Sequence, residues 1–308
     1  MNDEQLTPLL DSISPNFKAG YVALIGRPNV GKSTLMNALL GQKLSIVTPK
    51  PQTTRHRVLG ILSGQDHQII FLDTPGLLIP RYKLQETMVK AARGATAEAD
   101  VLVFMIEPEE KISPANRSIL SELIQTKKLL ILAINKIDVI EKEKLLPIIN
   151  DYAQTFNLAT IIPISALKAD GLDQLKQLLI DHLPVGFPFY PLDTITDQPE
   201  RFFVAEIIRE KIFQKYGEEI PYSTTVTTEE FKERDQGKDY IRAVIYVERA
   251  SQKGIIIGKQ GAALKKVGET ARKEIELFLG RAVYLELFVK VKEKWRQKED
   301  VLRELGYK

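Results

Sequence analysis

Two glycine-rich stretches of this chain carry residues that could do chemistry on phosphate groups. In the first, GRPNVGKST, Gly26 and Gly31 bracket a short loop, and Lys32, Ser33 and Thr34 follow directly. Glycines let backbone N–H groups close around phosphate oxygens, and a helix opening at Lys32 adds its positive end. The loop residues Arg27, Pro28, Asn29 and Val30 would form the cradle. The Lys32 ammonium would reach the β- and γ-phosphates, and the Ser33 hydroxyl would bind Mg²⁺. The second stretch, KGIIIGKQGAAL, places Gly258 and Gly261 around Lys259 and Gln260. No Lys-Ser or Lys-Thr follows Gly261, so this loop is not expected to be a second nucleotide cradle.

Further motifs converge on the first loop. FLDTPG ends an apolar run with Asp73, able to hold Mg²⁺ directly or through water. Thr74, Pro75, Gly76 and Leu77 follow, and the bare Gly76 N–H is open to a γ-phosphate. LLILAINKID ends another apolar run with Asn135, Lys136 and Asp138. The Asp138 carboxylate could accept two hydrogen bonds from guanine's ring N–H and exocyclic amine. Adenine would leave it unpaired, a loss that discriminates by about 10⁴ or more, so GTP is favoured over ATP. Asn135 would brace neighbouring loops and the Lys136 stem would cover the base. Ser165, Ala166 and Leu167 in PISAL complete the site, with the Ala166 N–H placed for the guanine carbonyl. In TPKPQTTRHR a hydroxyl could join Mg²⁺ and γ-phosphate, as switch segments do. Thr54 is the expected ligand, Thr53 the alternative, and Lys32, Thr54, Gly76 and Asn29 are the candidate catalytic set. Leu77 stands where many GTPases carry a water-orienting Gln, so slow intrinsic turnover is expected.

The elements that must position these residues alternate. YVALIG, RVLGILS, HQIIFLD, VLVFMIE, LLILAIN and TIIPIS read as strands, most separated by amphipathic helices, which argues for a mostly parallel sheet with both faces covered. Strand C-termini in such a sheet gather on one edge, where ligands bind. The proline-dense LPVGFPFYPLDTITDQPE then reads as a linker. Beyond it a helix, two alternating strands, the second glycine loop, a helix and a last strand make a small α+β domain. The expected boundaries are a flexible extension at 1–18, a nucleotide domain at 19–184, a linker at 185–199, the small domain at 200–296 and a tail at 297–308. The chain has 308 residues, 44% apolar and 27% charged, with no cysteine, which excludes disulfide and thiolate chemistry. Its three histidines lie far apart, without metal-ligand spacing. No apolar run reaches membrane-spanning length and no secretory leader is visible, so the cytoplasm is expected. The net charge is +3, but residues 253–298 hold 12 Lys and Arg against 5 Asp and Glu. The positive excess surrounds the second glycine loop, the pattern expected of a polyanion site.

The motifs GRPNVGKS, PQTTRHR, DTPGL, NKID and SAL, followed by IIIGKQG in a small α+β domain, together resemble the Era family of bacterial GTPases over about residues 20–305. The resemblance implies a P-loop GTPase domain followed by a type II KH domain. In KH domains a G-x-x-G loop joins two helices and clamps a few single-stranded nucleotides. Gly258, Lys259, Gln260 and Gly261 would be that clamp. The apolar half containing Ile257 would pack the loop against the sheet and form a groove for bases, and Lys253, Lys259, Lys265 and Lys266 would draw in phosphates. Tyr284, Phe288 and Trp295 are read as core or edge packing in preference to RNA platforms. The family's role implies binding to the 3′ end of small-subunit ribosomal RNA and assistance in maturing that subunit, by a monomer. Asn29 matches a K⁺-binding position of related GTPases, which implies K⁺-stimulated hydrolysis. Arg55 and Arg57 are alternatives, read rather as switch-surface or RNA-facing. GTP is expected to order residues 48–57 and 77–90 and so reposition the KH groove. The competing readings are a nucleotide-regulated RNA chaperone with negligible turnover, and a GTPase of cell-cycle signalling held peripherally on the inner face of the cell membrane.

Overall fold

The computed structural model describes residues 14–109 and 111–307. Most of the expected N-terminal extension lies outside them. At its inner end, Phe17 is buried and Lys18 already begins the first strand, so the fold starts earlier than expected. The described residues form two compact units, those up to 45 with 54–78 and 89–197 in one, and 46–53, 79–88 and those from 198 onward in the other.

The first unit is built on β1 (Lys18–Gly26), β2 (Val58–Ser63), β3 (His67–Asp73), β4 (Val101–Ile106), β5 (Leu129–Ile134) and β6 (Ile161–Pro163). They form one sheet in the order β2-β3-β1-β4-β5-β6, parallel except for the antiparallel β2–β3 pair. Every residue of β3 and β4 is buried, and β4 reads as an unbroken apolar run because both its faces are covered. The helices are α1 (Lys32–Leu40), α2 (Lys83–Glu98), α3 (Pro114–Gln125), α4 (Leu145–Phe156) and α5 (Leu172–His182), with α2 divided between the units at Met88. The sequence pattern did not reveal α4, because Pro147 interrupts it. The proline falls in the first turn, where no intrahelical N–H is needed, and the helix forms around it, burying Ile148 and Tyr152.

The second unit contains α6 (Glu200–Lys215), the single turn α7 (Ile220–Ser223), β7 (Thr225–Lys232), β8 (Asp239–Val247), α8 (Ala250–Ile257), α9 (Ala262–Leu279), β9 (Val283–Val291) and α10 (Glu299–Glu304). Its sheet runs β7-β8-β9, with β7 antiparallel and β9 parallel to β8. The core of Val204, Ile208, Ile241, Ile245, Ile256 and Ile275 lies between that sheet and its helices. The expected tail is also part of this fold. Leu302, Leu305 and Tyr307 are buried, and the indole N–H of the buried Trp295 donates to the Ser223 carbonyl at 2.9 Å. Among the described residues no helix is long and apolar enough to cross a membrane.

The segment read as a linker is a correction. Its prolines exclude helix and central strand, but residues 184–197 are strapped along the first unit. The Ala19 N–H donates to the Pro184 carbonyl, the Ile61 N–H to Ile195, and the Thr196 hydroxyl to Leu59. One buried side chain organises the strap. The Gln68 carboxamide oxygen accepts from the Phe189 and Tyr190 N–H groups at 2.8 and 3.0 Å, while its nitrogen donates to the Tyr190 carbonyl at 2.9 Å. Replacing Gln68 by Leu keeps the volume and strands those three backbone groups. Gln68→Leu is expected to lower stability by about 2–4 kcal/mol and to admit protease near Phe189. Denaturant unfolding and limited proteolysis check this; parent-like behaviour in both would show that the strap is held by packing alone.

Candidate nucleotide and nucleic-acid sites

The parallel strands deliver their C-termini to one edge: β1 ends at Gly26, β3 at Asp73, β5 at Ile134 and β6 at Pro163. The first-unit motifs occupy the loops just beyond them. Gly26 (φ 157°) and Gly31 (φ 99°) are irreplaceable for contact reasons too, since a Cβ would lie 2.5 Å from the Met105 carbonyl oxygen and 2.2 Å from the Asn135 amide nitrogen. A Cβ on Gly76 would meet the Pro28 nitrogen at 2.4 Å. Helix α1 begins beyond Gly31 with no side-chain cap and no acidic residue in its first turn, leaving its N–H groups for an anion.

Lys32 is 5% exposed, and its ammonium donates to the Gly26 and Arg27 carbonyls at 3.2 and 3.0 Å. Burial pulls it down to about 8, against the opposing charge of Asp73. Burial likewise pushes the Asp73 carboxyl up, and a hydrogen bond from Ser33 and the Lys32 charge pull it back. The Ser33 hydroxyl donates to Asp73 Oδ2 at 2.7 Å and lies 2.8 Å from the Thr54 hydroxyl. Thr53 turns elsewhere, its hydroxyl donating to the Lys50 carbonyl at 2.7 Å. The buried Asp73 Oδ1 has no hydrogen-bond partner among the described residues. Three oxygen donors around an orphaned carboxylate oxygen fit a small, hard dication such as Mg²⁺.

At the base end, the Asn135 carboxamide donates to the Val30 carbonyl at 2.8 Å and ties two loops together. Its oxygen accepts from the Ala166 N–H at 2.8 Å. The N–H expected to meet a guanine carbonyl is thus engaged by Asn135 in this structure. The exposed Asp138 carboxylate accepts from the Ser165 hydroxyl at 2.5 Å, which fixes its orientation. Leu167 is 74% exposed. The Thr74 hydroxyl is buried and donates to the Leu24 carbonyl, so it serves the fold. Leu77 packs partly into the core and offers only its N–H, which donates to the Gly26 carbonyl. Arg55 is buried, contrary to the surface position expected, whereas Arg57 lies at the surface and pairs with Glu98. Two acidic residues escaped the sequence reading. Glu107 pairs with Lys136, and Glu109 holds Arg27 at 2.8 Å. Their signal was positional: both lie just past the C-terminal end of β4, on the ligand edge.

In the second unit, α8 ends at Ile257 and α9 begins at Ala262, with Gly258 (φ 70°), Gln260 (φ 51°) and Gly261 (φ 79°) making the turn between them. A Cβ on Gly258 would lie 2.5 Å from that of Ala263, so the loop admits only glycine there. Beside it opens a groove of about 480 Å³ between α9 and β9. Its apolar lining includes Leu264, Leu285 and Leu287, and its charged lining sets Lys238, Lys265 and Arg272 against Glu269. Of the expected RNA contacts, Gly261 and Lys265 line this groove. Lys259 and Gln260 are exposed on the loop, while Lys253 and Lys266 do not line the groove. Of the isoleucines expected to pack the loop against the sheet and wall a groove, Ile256 is fully buried in the core and Ile257 packs against it, and neither lines this groove. Trp295 is core, whereas Tyr284 and Phe288 are 53% and 41% exposed, and Tyr284 reaches the groove.

The chain matches a family model described as 50S ribosome-binding GTPase over residues 21–136 and one described as KH domain over 219–296. It is 45% identical to GTPase Era of Ruminiclostridium cellulolyticum over 95% of this chain and 98% of the relative. Identity to GTPase Era of Geotalea daltonii is 47%, over 94% of this chain and 98% of the relative. The chain belongs to the Era family of GTPases. Two Era crystal structures superpose on this Era-family chain with TM-scores of 0.92 at 46% identity, covering 94% of it and 99% of each of them. One is an Aquifex aeolicus variant bound to GDP and aluminium fluoride; the other holds magnesium GDPNP and nucleotides 1506–1542 of 16S ribosomal RNA.

The buried ammonium makes a pH prediction. Phosphate favours the charged form of Lys32, so binding raises its pKa above the free value of about 8. Below that value both states carry the proton; above it the free protein loses the proton and binding must recover one. GTP affinity is therefore expected to fall about fourfold between pH 7 and pH 8.5, with proton uptake. Calorimetry in two buffers of different ionisation enthalpy measures both. A flat affinity with no uptake would show that Lys32 stays charged when the site is empty.

Proposed function

We propose that this chain is a GTP-hydrolysing switch whose second unit binds the single-stranded 3′ end of small-subunit ribosomal RNA and assists maturation of 16S RNA and of the small subunit. The observation that carries this reading is the presence in one chain of the Ser33–Thr54–Asp73 oxygen cluster and a charged groove headed by a G-x-x-G turn. The Era structure that holds both a GTP analogue and 16S RNA supports it.

Mg²⁺ bound by Ser33, Thr54 and Asp73 would neutralise charge on the β- and γ-phosphates. The α1 N-terminus and Lys32 hold those phosphates, Asn135 fixes the loops, and Asp138 selects guanine. Nothing on the side chain of Leu77 orients a water, so this chain supplies positioning and electrostatics but little help to the nucleophile, and turnover is slow. A monovalent cation near Asn29, itself in the left-handed region at φ 72°, would add positive charge at the bridging oxygen. K⁺ is expected to raise turnover at least several-fold over equimolar Na⁺; equal rates would remove the cation from the mechanism.

On the RNA side, the Leu264, Leu285 and Leu287 floor takes base faces while Lys238, Lys265 and Arg272 take phosphates. The reading places the protein in the cytoplasm. Fluorescence anisotropy of a short RNA matching the small-subunit 3′ end, with GDP and with a non-hydrolysable GTP analogue, tests the whole assignment. Binding is expected to be tighter with the analogue and to weaken at least tenfold in Lys259→Asp/Gln260→Asp. Binding indifferent to both changes would leave the second glycine loop a structural turn.

A further inference from the structure

The two segments expected to respond to nucleotide, 48–57 and 77–90, are split by the structure. Residues 48–53 of the one and 79–88 of the other are built into the second unit, together with 46 and 47. Lys50 donates to the Phe213 and Tyr216 carbonyls at the C-terminal end of α6, the Val47 N–H donates to Glu210, and Arg209 donates to the Thr53 carbonyl. Leu84 and Met88 join Trp295, Leu302, Leu305 and Tyr307 in one apolar cluster. Each segment is one peptide bond from a residue of the first unit, Thr53 from Thr54 and Ile79 from Leu78.

One side chain touches both segments and leads onward to the G-x-x-G helix. The Tyr82 hydroxyl donates to Gln52 Oε1 at 3.3 Å, and the Gln85 amide nitrogen donates to the same oxygen at 3.3 Å. Gln52 sits at φ 61°, a conformation that side-chain residues seldom adopt and that persists only where neighbours hold it. On its other side the Tyr82 ring lies 5.0 Å from the Arg296 guanidinium, which is paired with Glu248. The Glu248 and Arg249 N–H groups donate to Gln252 Oε1 at 3.0 and 3.1 Å, and Gln252 lies in α8, the helix that runs into Gly258. The path from Gln52 to the clamp loop is thus continuous and made of polar contacts with discrete geometry.

We infer that Tyr82 is a positioning residue that couples nucleotide state to the RNA clamp: its hydroxyl reads the conformation of Gln52, and its ring, through Arg296 and Glu248, sets α8 and the loop beyond it. The inference deepens the proposed function and rests on the reading that nucleotide state governs RNA binding. The bistable element is the Gln52 backbone, held in its left-handed turn by Tyr82 and Gln85 in one state and released in the other. Coupling of this kind changes the ratio of RNA affinities between the two nucleotide states and leaves nucleotide affinity itself alone, because Tyr82 lies outside the phosphate and base loops.

The test is RNA affinity of the full chain by anisotropy, with GDP and with the GTP analogue, for the parent, Tyr82→Phe and Gln52→Asn. Tyr82→Phe keeps the ring on Arg296 and removes only the hydroxyl. Gln52→Asn tolerates the left-handed conformation and is too short to meet it. Both are expected to bring the analogue-to-GDP affinity ratio to within twofold of unity, with melting temperature and GDP affinity parent-like. A merely structural tyrosine would leave the Phe variant with the parent's ratio. If the parent shows the nucleotide dependence and both variants retain it, the inference is overturned and the switch reading stands. If the parent itself shows no dependence, both are overturned.

Discussion

Two opposite charges, Lys32 at the start of α1 and Asp73 at the end of β3, are kept from water, and the rest of the nucleotide edge depends on that constraint. Withdrawing such groups from solvent costs several kcal/mol per ion unless partners are supplied. The chain supplies some of them: the Gly26 and Arg27 carbonyls for the ammonium, and the Ser33 hydroxyl for the carboxylate. It leaves Asp73 Oδ1 unsatisfied. The uncapped start of α1 is a deficit of the other sign. A phosphate chain with its dication meets both deficits at once, which neither a neutral ligand nor a bare anion would do. The edge is therefore pre-organised for one charge pattern before any nucleotide arrives.

The second glycine loop resolves a different problem with similar residues. Gly258 is compelled by the approach of Ala263, as Gly31 is by Asn135. The residues next to each turn differ in where they point. In the first loop a lysine is drawn inward and buried; in the second, Lys259 and Gln260 stay exposed and apolar side chains floor the groove alongside. An inward cation suits a compact polyphosphate that can be fully surrounded. Peripheral cations over an apolar floor suit a polymer whose bases must be desolvated while its backbone stays hydrated.

Those differences decided how much of each site was legible in the sequence. The nucleotide edge was legible because its residues lie in short motifs directly after apolar strands, so order along the chain and place in space coincide. Thr54, Ser33 and Asp73 meet as their types suggested. The contact of the Ala166 N–H with the Asn135 carboxamide was not legible, because the two come from different loops. Helix α4 was hidden by Pro147, whose meaning depends on whether it lies in a first turn or an interior. The strap at 184–197 looked like a linker because its partner, Gln68, sits far away in a strand and shows only as one polar residue in an apolar run. The groove beside α9 was not legible, because an apolar run beside glycines does not reveal which way a helix turns and the lining residues of α9 and β9 are joined only by the fold.

The least legible feature is the division of the chain at Thr53–Thr54 and at Leu78–Ile79. Nothing in TPKPQTTRHR announces that Lys50 closes the carbonyl end of a helix beginning at Glu200, or that the Thr53 carbonyl belongs to Arg209. Yet this division gives the Thr pair its sense. Two adjacent hydroxyl residues at one switch would be redundant if both faced the metal-binding cluster. In the structure Thr54 lies beside Ser33, while Thr53 closes a turn with Thr48 and Lys50 and offers its carbonyl to α6. The Thr53 carbonyl lies in the planar peptide unit that also carries the Thr54 nitrogen, so a backbone rotation at Thr54 is felt at the Arg209 contact. Gln52, directly before the pair, holds a left-handed φ of 61°.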